Sequence, residues 1–424
     1  MATTTSERIL TLDVIRGIAV MGIFSVNVVG MAMIERAYFY PPDYGFDSTG
    51  DRVMWALNSI FVDGRFRALF SILFGASLTV VVERAVAAGR KGWQVHYPRM
   101  IVLLLFGLAH YYLLWWGDIL ANYALVGMIA YVFWRLRPKW LLLAAVVALL
   151  LGYVPQLVGG MGQIAKVEAG LAPDAPPELR AKVERMLAPS PTLAQEIAED
   201  KADHASIAAH LGASTEDRGA ALRPFMSVPG YGLETLGLML IGMALFKSGM
   251  LTGQWEPARY RRWAIRCFAI AVPALLLLTF YQVASGYDGI VIFATSLAWS
   301  LPFDVIMTIG WAALIMLVAK RHSSSSATAR VGAAGRMAFT NYLMTSIVMT
   351  TIFYGYGLAL YGEVGRAALY LFVIGMWAAM LLWSKPWLDR FHYGPLEWLW
   401  RSLSRFKPQP MRKQHSNVAI PAGA

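Results

Sequence analysis

Cysteine is almost absent from this chain of 424 residues, and Cys267 is the only one. A single cysteine excludes an intrachain disulfide and any metal site built on several cysteine ligands. The sequence also lacks a Walker phosphate-binding loop, a His-Glu-x-x-His zinc motif and the nucleophile elbow of the α/β-hydrolases. These absences remove common nucleotide-binding, zinc-protease and hydrolase classes, and no metal cofactor is expected.

Charge is scarce as well. Charged residues make up 15% of the chain and hydrophobic residues 57%, whereas soluble domains average about 25% charged and about 45–50% apolar residues. Apolar runs of about 20 residues, each long enough to cross roughly 30 Å of hydrocarbon, recur along the chain. The composition therefore indicates a membrane protein with lipid as its surroundings.

The apolar runs predict ten membrane-spanning helices. The first run is too long for the apolar core of a cleavable signal peptide and is expected to remain as a span. The second span is expected to begin as an interfacial helix and to enter the membrane near Arg65. Pro302 is expected to kink the eighth span or to divide it into a short helix and a span. The predicted spans cover residues 10–33, 58–82, 99–116, 119–134, 140–158, 230–246, 264–285, 289–319, 337–360 and 367–383.

Positive charge is concentrated in alternate connections between these spans. The connections after the second, fourth, sixth and eighth spans are rich in Arg and Lys, and so is the C-terminal tail. Because positive loops stay in the cytoplasm, both termini are predicted to be cytoplasmic. This pattern accounts for the net charge of +11, so no nucleic-acid partner is expected. The predicted fold is an all-α, polytopic membrane helical bundle with about ten transmembrane helices and one long external loop.

The chain divides into an N-terminal eight-span region at residues 1–322 and a C-terminal two-span region at residues 335–405. Residues 323–334, which begin with a run of serines, are expected to form a cytoplasmic linker, and residues 406–424 a flexible tail. The parity of the spans assigns the long connection at residues 159–229 to the outside. It is either a polar external cap or a lid over an external site.

Ionisable side chains at membrane depth are costly, so each one is a candidate functional residue. Asp13 and Arg16 are three residues apart near the cytoplasmic end of the first span, a spacing that lets them pair on one helix face. The pair either anchors the helix or contacts an anionic group arriving from the cytoplasm. Asn27, further along the same span, is a candidate for a helix–helix hydrogen bond or for substrate binding.

Arg65 and Arg67 lie at the external end of the second span, where positive residues break the positive-inside pattern. Asp63 is a candidate partner for one of them. The other then needs a carboxylate from another helix or an anionic group of a substrate. Asp304 in the eighth span and Asn341 in the ninth are further polar candidates, and a structural role is open for both.

His110 is the only histidine within a predicted span. A histidine exchanges a proton near neutral pH and so suits general acid–base catalysis, although a packed, hydrogen-bonded histidine is equally expected. Asp118, in the external turn that follows, either caps the next helix or orients the base or the substrate. A continuous helix would hold the two residues about 12 Å apart, so their pairing requires either that the helix unwinds near Gly117 or that a substrate lies between them.

Several motifs resemble those of the bacterial YeiB family, and the resemblance covers nearly the whole chain outside the long external loop. They are Leu-Asp-Val-Ile-Arg-Gly at residues 12–17, Gly-Arg-Phe-Arg at 64–67, Trp-Trp-Gly-Asp at 115–118, Thr-Asn-Tyr-Leu at 340–343 and Gly-Pro-Leu-Glu-Trp at 394–398.

The YeiB family is in turn distantly similar to the transmembrane acyltransferases, which include heparan-α-glucosaminide N-acetyltransferase. The resemblance implies a multi-pass protein of the bacterial inner membrane that moves an acyl group from cytoplasmic acyl-CoA to an acceptor at or beyond the membrane. The loop before the second span, where the glucosaminide enzyme carries its reactive histidine, has no histidine here. His110 would therefore take that role in a different geometry.

The residues and the resemblance together suggest a division of roles. His110 and Asp118 are the predicted catalytic residues, acyl-CoA is the expected donor, and the predicted substrate-binding residues are Arg65, Arg67, Asn27, Asp13, Arg16 and Asn341. The alternative is a transporter of a small molecule or anion, in which the intramembrane Arg, His and Asp side chains bind and move the cargo. Both functions involve a small-molecule substrate, and both leave open whether the protein acts as a monomer or as a homo-oligomer.

Overall fold

The computed structural model describes residues 5–187, 191–216, 218–226, 228 and 231–413, and almost all of its regular structure is helical. No β-strand occurs among these residues, so the predicted all-α class is confirmed. The α-helices of the described chain are α1 Thr5–Ala32, α2 Glu35–Phe39, α3 Thr49–Phe61, α4 Arg65–Ala87, α5 Gly92–Leu113, α6 Leu120–Ala130, α7 Pro138–Leu171, α8 Pro177–Leu187, α9 Leu193–Asp203, α10 Ile207–Glu216, α11 Arg218–Met226, α12 Tyr231–Lys247, α13 Pro257–Ala284, α14 Gly289–Ala294, α15 Leu301–Arg321, α16 Ser326–Arg336, α17 Ala338–Phe353, α18 Leu369–Arg390 and α19 Pro395–Ser404.

Six helical segments of the described chain are long and apolar enough to cross a membrane. They are Leu10–Ala32, Thr49–Ala87, Pro138–Leu171, Pro257–Ala284, Leu301–Arg321 and Leu369–Arg390. Shorter apolar helices occupy much of the predicted fourth and ninth spans and the start of the eighth. The structure is thus that of a helical protein compatible with a membrane, while the number of ten spans and the cytoplasmic termini stay predictions.

Two breaks expected from the sequence are present. α3 ends at Phe61 and α4 begins at Arg65, and between them Gly64 has φ of 74°. Glycine adopts this left-handed backbone without strain because it has no Cβ. In the predicted eighth span, the short helix α14 and a π-helical turn precede α15, whose second residue is Pro302.

α1 lies at the centre of the bundle, in contact with α4, α15, α16, α17 and α18. Its contact with α16 depends on two glycines. A side chain at Gly335 would collide with the Asp13 carbonyl, and one at Gly17 would collide with the Val331 carbonyl. Small residues of this kind let helix backbones approach closely, which matters in lipid because apolar burial provides little drive for association.

The region at residues 323–334, expected to be a linker, is mostly helical. α16 begins at Ser326, and the Ser325 hydroxyl accepts a hydrogen bond from the Ala327 amide at 3.2 Å. The helix packs against α1 and α18. α16 is rich in alanine and glycine, which make a narrow helix surface. A flexible linker can have the same composition, so composition alone does not distinguish the two. The C-terminal region is therefore joined to α1 by packing.

Glu397 of α19 caps the start of α17. Its Oε1 accepts hydrogen bonds from the backbone amides of Phe339 at 2.9 Å and Thr340 at 3.1 Å, and its Oε2 accepts one from the Thr340 hydroxyl. The first amides of a helix have no partner within the helix, and a carboxylate there also meets the positive end of the helix dipole. Burial raises the pKa of the Glu397 carboxyl, and these hydrogen bonds partly oppose that rise. The Gly-Pro-Leu-Glu-Trp motif thus has a structural role.

The variant Glu397→Ala should lower the free energy of unfolding by about 1–3 kcal/mol, because it removes a cap and leaves buried amides unpaired. Thermal unfolding of the purified protein in detergent measures the loss as a lower midpoint. Glu256 is an exposed N-cap residue of α13 whose side chain makes no capping bond. The control Glu256→Ala should keep the wild-type midpoint, and equal midpoints for both variants would contradict the cap.

Candidate functional site

His110 lies in the last turn of α5 and is only 2% exposed. The helix ends at Leu113, because the amides of the next two residues both turn back to the His110 carbonyl at 3.0 Å. Trp115 then enters the core, where its indole nitrogen donates a hydrogen bond to the Gly30 carbonyl of α1 at 2.8 Å. The helix therefore unwinds, as the pairing of His110 with Asp118 requires.

Asp118 bonds both to His110 and to the next helix. Its Oδ1 lies 2.8 Å from His110 Nδ1, and its Oδ2 accepts a hydrogen bond from the Ala121 amide at 2.8 Å, at the start of α6. Both side chains are 1% exposed. The Asp118 carboxylate thus caps α6 and also holds the His110 ring, the two roles that the sequence left open as alternatives. When Asp118 accepts from Nδ1, the neutral ring presents Nε2 as a hydrogen-bond acceptor.

The other ring nitrogen faces a serine that the sequence did not single out. Ser346 of α17 is fully buried, and its Oγ lies 2.8 Å from His110 Nε2. Asp118, His110 and Ser346 form a triad of the kind that activates a serine nucleophile in hydrolases. A serine in an apolar helix ordinarily bonds its own backbone, so nothing local marked this one. The available signal was its position one turn after Tyr342 of the Thr-Asn-Tyr-Leu motif.

Arg65 and Arg67, both in the first turn of α4, face carboxylates. Arg65 Nη2 lies 2.7 Å from Asp304 Oδ1 of α15, and Arg67 Nη2 donates to Glu234 Oε1 of α12 at 2.7 Å. The Arg65 contact is a close ion pair without the alignment of a hydrogen bond, and its Nη1 donates to the Asp63 carbonyl. The sequence suggested a carboxylate from another helix for one arginine, and the structure provides one for each. Substrate binding by either arginine stays a prediction.

Two tyrosines lie between the Arg67 backbone and the triad. The Tyr123 hydroxyl donates to the Arg67 carbonyl at 3.1 Å. The Tyr342 hydroxyl lies within Coulombic range of Asp118 and Tyr123. It is buried beside the Ile119 amide without an aligned hydrogen bond. Tyr123 and Tyr342 thus extend the polar groups of the triad towards the Arg67 segment of α4.

The remaining predicted site residues make other contacts. Asp13 and Arg16 form the expected ion pair on α1, with 2.7 Å between Oδ1 and Nη1. Asn27 is buried in the same helix. Asn341 joins three helices, since its Nδ2 donates to the α16 backbone at 3.0 Å and its Oδ1 accepts from the Trp383 indole of α18 at 3.0 Å. The roles of these residues in substrate binding stay predictions.

Helices α10 and α11 of the long connection lie against α5, the helix that carries His110. The His204 ring, just before α10, stacks on Tyr361 at 4.2 Å between ring centroids. The His210 ring lies 5.5 Å from that of His204 and 5.2 Å from that of Tyr354, at the end of α17. These contacts dock the connection onto the helices of the triad. Either a cap or a lid requires this arrangement, and the choice between them stays open.

The triad is closed to solvent, because its three side chains are buried. A cavity of about 610 Å³ lies between α7 and α12, and its lining is apolar, with Trp140, Leu143 and Leu240 among its residues. The triad residues do not line it, and they are buried. Within the described part of the chain, no group of three or more His, Cys, Asp or Glu side chains is arranged to hold a metal ion. A reactant reaches His110 only if the surrounding helices or the docked connection move.

Residues 245–407 match the family described as "Protein of unknown function (DUF418)". Across nearly its full length, the chain is 33% identical to "Uncharacterized protein YeiB" of Escherichia coli (strain K12), over 405 residues that cover 94% of this chain and 96% of that protein. The chain belongs to the YeiB family. The YeiB-family resemblance read from the sequence motifs is thereby confirmed. "Uncharacterized protein YxaH" of Bacillus subtilis (strain 168) is 32% identical, covering 97% of this chain and 98% of that protein. No solved structure matches the chain.

In this YeiB-family protein, Asp304→Asn should be strongly destabilising, because it leaves the buried Arg65 charge without its carboxylate. Removing one member of a buried pair costs about 3–5 kcal/mol. The midpoint of thermal unfolding should fall accordingly. The double variant Arg65→Gln with Asp304→Asn removes both charges and should recover much of the loss. A double variant no more stable than the worse single variant would contradict the pairing.

Docking of α10 in this YeiB-family protein should weaken in mild acid. Burial, with a smaller contribution from neighbouring His204, lowers the pKa of His210 to about 4 from its ordinary 6.5. Docking thus favours the neutral ring, so its stability is complete above pH 6.5 and is lost as the pH falls towards 4. Hydrogen exchange in α10, corrected for intrinsic rates, should rise between about pH 7 and about pH 5.

The matched variant for this pH test is His210→Phe, which keeps an aromatic ring and cannot take a proton. Its exchange in α10 should lose the response over that pH range. A response of wild-type size in the phenylalanine variant would show that a group other than His210 is responsible.

Proposed function

We propose that this protein is an acyltransferase of the bacterial inner membrane, which moves an acyl group from acyl-CoA on the cytoplasmic side to a hydroxyl or amine acceptor at or beyond the membrane. The observation that carries the proposal is the buried imidazole of His110, which is held by a carboxylate at one nitrogen and faces a hydroxyl at the other. The distant similarity of the YeiB family to transmembrane acyltransferases supports the same class of reaction by analogy.

His110 acts as the general base. Its Nε2 takes the proton of the attacking hydroxyl or amine, and Asp118 stabilises the imidazolium that forms. The burial of both side chains keeps water from the site, which protects the acyl group from hydrolysis during transfer.

A surplus of positive charge near the start of α1 supports acyl-CoA as the donor. Arg336 and Arg401 lie within Coulombic range of Asp13, which Arg16 already pairs. Arg405 adds a further positive charge near Arg401. The Arg401 Nε is buried and has no hydrogen-bond partner. Guanidinium groups bind phosphate oxygens well, so the phosphates of CoA are a suitable counter-charge at this end of the bundle.

The acceptor side is balanced in charge. Arg65 and Arg67 each face a carboxylate, so an anionic acceptor would have to displace Asp304 or Glu234. A neutral or cationic acceptor requires no such exchange. This favours an uncharged hydroxyl compound or an amine over the anionic substrate that the two arginines alone suggested.

The test uses purified full-length protein in detergent, with acetyl-CoA and longer acyl-CoAs as donors and released thiol as the readout. Wild-type protein should release thiol slowly alone and faster with a suitable member of a panel of sugars, alcohols and amines. His110→Gln should lower the rate by about 10²- to 10⁴-fold, the usual contribution of a general base. Asp118→Asn should also lower it, because the ring then favours the other tautomer.

The control is His322→Ala, which changes an exposed histidine and should keep the wild-type rate. Folded protein that releases no thiol from any donor would contradict the proposal, and so would His110→Gln acting at the wild-type rate.

A transporter is the second candidate function. The specific observation in its favour is the pair of intramembrane contacts, Arg65 with Asp304 and Arg67 with Glu234, because paired charges of this kind line substrate and ion pathways. Uptake of a labelled small anion into proteoliposomes, without thiol release from acyl-CoA, would favour transport over transfer.

A further inference from the structure

Ser346 differs from its neighbouring hydroxyl groups on α17. The Thr345 hydroxyl donates to the Tyr342 carbonyl at 2.6 Å, and the Thr350 hydroxyl donates to the Ser346 carbonyl at 2.8 Å. Hydroxyl groups in apolar helices usually bond their own backbone in this way. The Ser346 hydroxyl lies instead 2.8 Å from His110 Nε2, on another helix. The Ser346 hydroxyl therefore faces α5 and not its own backbone, and the reason has to be sought outside α17.

We propose that Ser346 is the nucleophile of a two-step transfer and carries the acyl group as an ester between donor and acceptor. The inference rests on the proposed acyl transfer and adds a covalent intermediate to it. A serine nucleophile needs a base within hydrogen-bond reach and a third group that orients the base. His110 and Asp118 meet both needs through contacts of 2.8 Å, and the Ala121 amide anchors Asp118 in turn.

The first step forms the ester. The Ser346 Oγ attacks the thioester carbonyl of acyl-CoA, and its proton passes to His110 Nε2. The carbon–sulfur bond then breaks, and the CoA thiolate leaves with that proton as a free thiol.

The second step releases the acyl group. The hydroxyl or amine of the acceptor attacks the ester carbonyl and gives its proton to His110 Nε2. The bond to Ser346 Oγ breaks, and this oxygen recovers the proton from the imidazolium. The cycle returns the triad to its starting state, and no oxidant, reductant or metal takes part.

Tyr342 is positioned to stabilise the charge that develops on the carbonyl oxygen. It lies one helical turn before Ser346, so both side chains are on the same face of α17. Its ring centroid is 5.3 Å from that of His110. Its hydroxyl is buried without an aligned hydrogen bond, so the O–H can donate to an oxyanion. One such donor contributes about 10²- to 10³-fold to the rate of acyl transfer in serine enzymes.

Direct transfer, in which His110 activates the acceptor itself, is the competing route. In that route the Ser346 hydroxyl occupies the nitrogen that the acceptor needs, and it would have to turn away first. In the covalent route the same hydrogen bond is the starting state of the reaction. The observed contact therefore favours the covalent route.

The first experiment looks for the ester. Full-length wild-type protein, Ser346→Ala, His110→Gln and Thr345→Val are incubated in detergent with acetyl-CoA, without an acceptor, and quenched in acid. Peptide mass spectrometry should find one acetyl group on Ser346 in wild-type protein and in Thr345→Val, whose lost hydroxyl bonds only its own helix in the contacts above. Ser346→Ala and His110→Gln should carry none.

The second experiment does not depend on the donor. A fluorophosphonate reagent, which modifies activated serines, should label Ser346 in wild-type protein and in Thr345→Val, and it should fail with His110→Gln.

Two further measurements characterise Ser346→Ala. It should keep the wild-type thermal midpoint within a few degrees, and its thiol release from acetyl-CoA should fall by about 10³-fold or more.

The outcomes separate this inference from the proposed function. If Ser346→Ala transfers at the wild-type rate while His110→Gln does not, the covalent step is overturned and the base remains. Loss of transfer in Ser346→Ala with neither acetylation nor labelling of wild-type Ser346 also overturns the nucleophile, because the serine then only positions the ring. If neither variant alters thiol release, acyl transfer at this site fails altogether.

Discussion

The hydrogen bond between Asp118 and His110 is the contact on which the arrangement of the triad depends. It requires α5 to end at Leu113, and the same carboxylate starts α6 through the Ala121 amide. It also decides which ring nitrogen faces Ser346 on α17. A buried imidazole without these partners would lose the hydrogen bonds that offset its burial. The hydrogen bond between Asp118 and His110 thus helps to fix α5, α6 and α17 relative to one another and sets the tautomer of the ring.

The same constraint governs the other polar groups of the bundle, because each charge carried into an apolar interior needs a partner there. Arg65 ties α4 to α15 through Asp304, and Arg67 ties α4 to α12 through Glu234. These two contacts fix α15 and α12 against α4. A reaction centre built on packed helices keeps its geometry better than one built on loops.

The sequence predicted those features that depend on neighbouring residues. The pairing of Asp13 with Arg16 follows from their spacing, and the break before α4 agrees with the expected change from an interfacial helix to a span near Arg65. It did not predict partners that are distant in the chain, because periodicity and propensity carry no information on which helices meet. Ser346 was missed for this reason. The ten predicted spans include helices such as α17, of 16 residues, which are too short for length alone to identify as membrane-spanning.

Nitrogen-15 NMR of protein labelled in its histidine side chains tests the central link most directly, with the His110 signals assigned by their loss in His110→Gln. At a pH where the ring is neutral, the hydrogen bond to Asp118 predicts a proton on Nδ1 and a bare Nε2, and a shift in the tautomer ratio in Asp118→Asn. A wild-type ring with its proton on Nε2, or a tautomer ratio unaffected by Asp118→Asn, would contradict it.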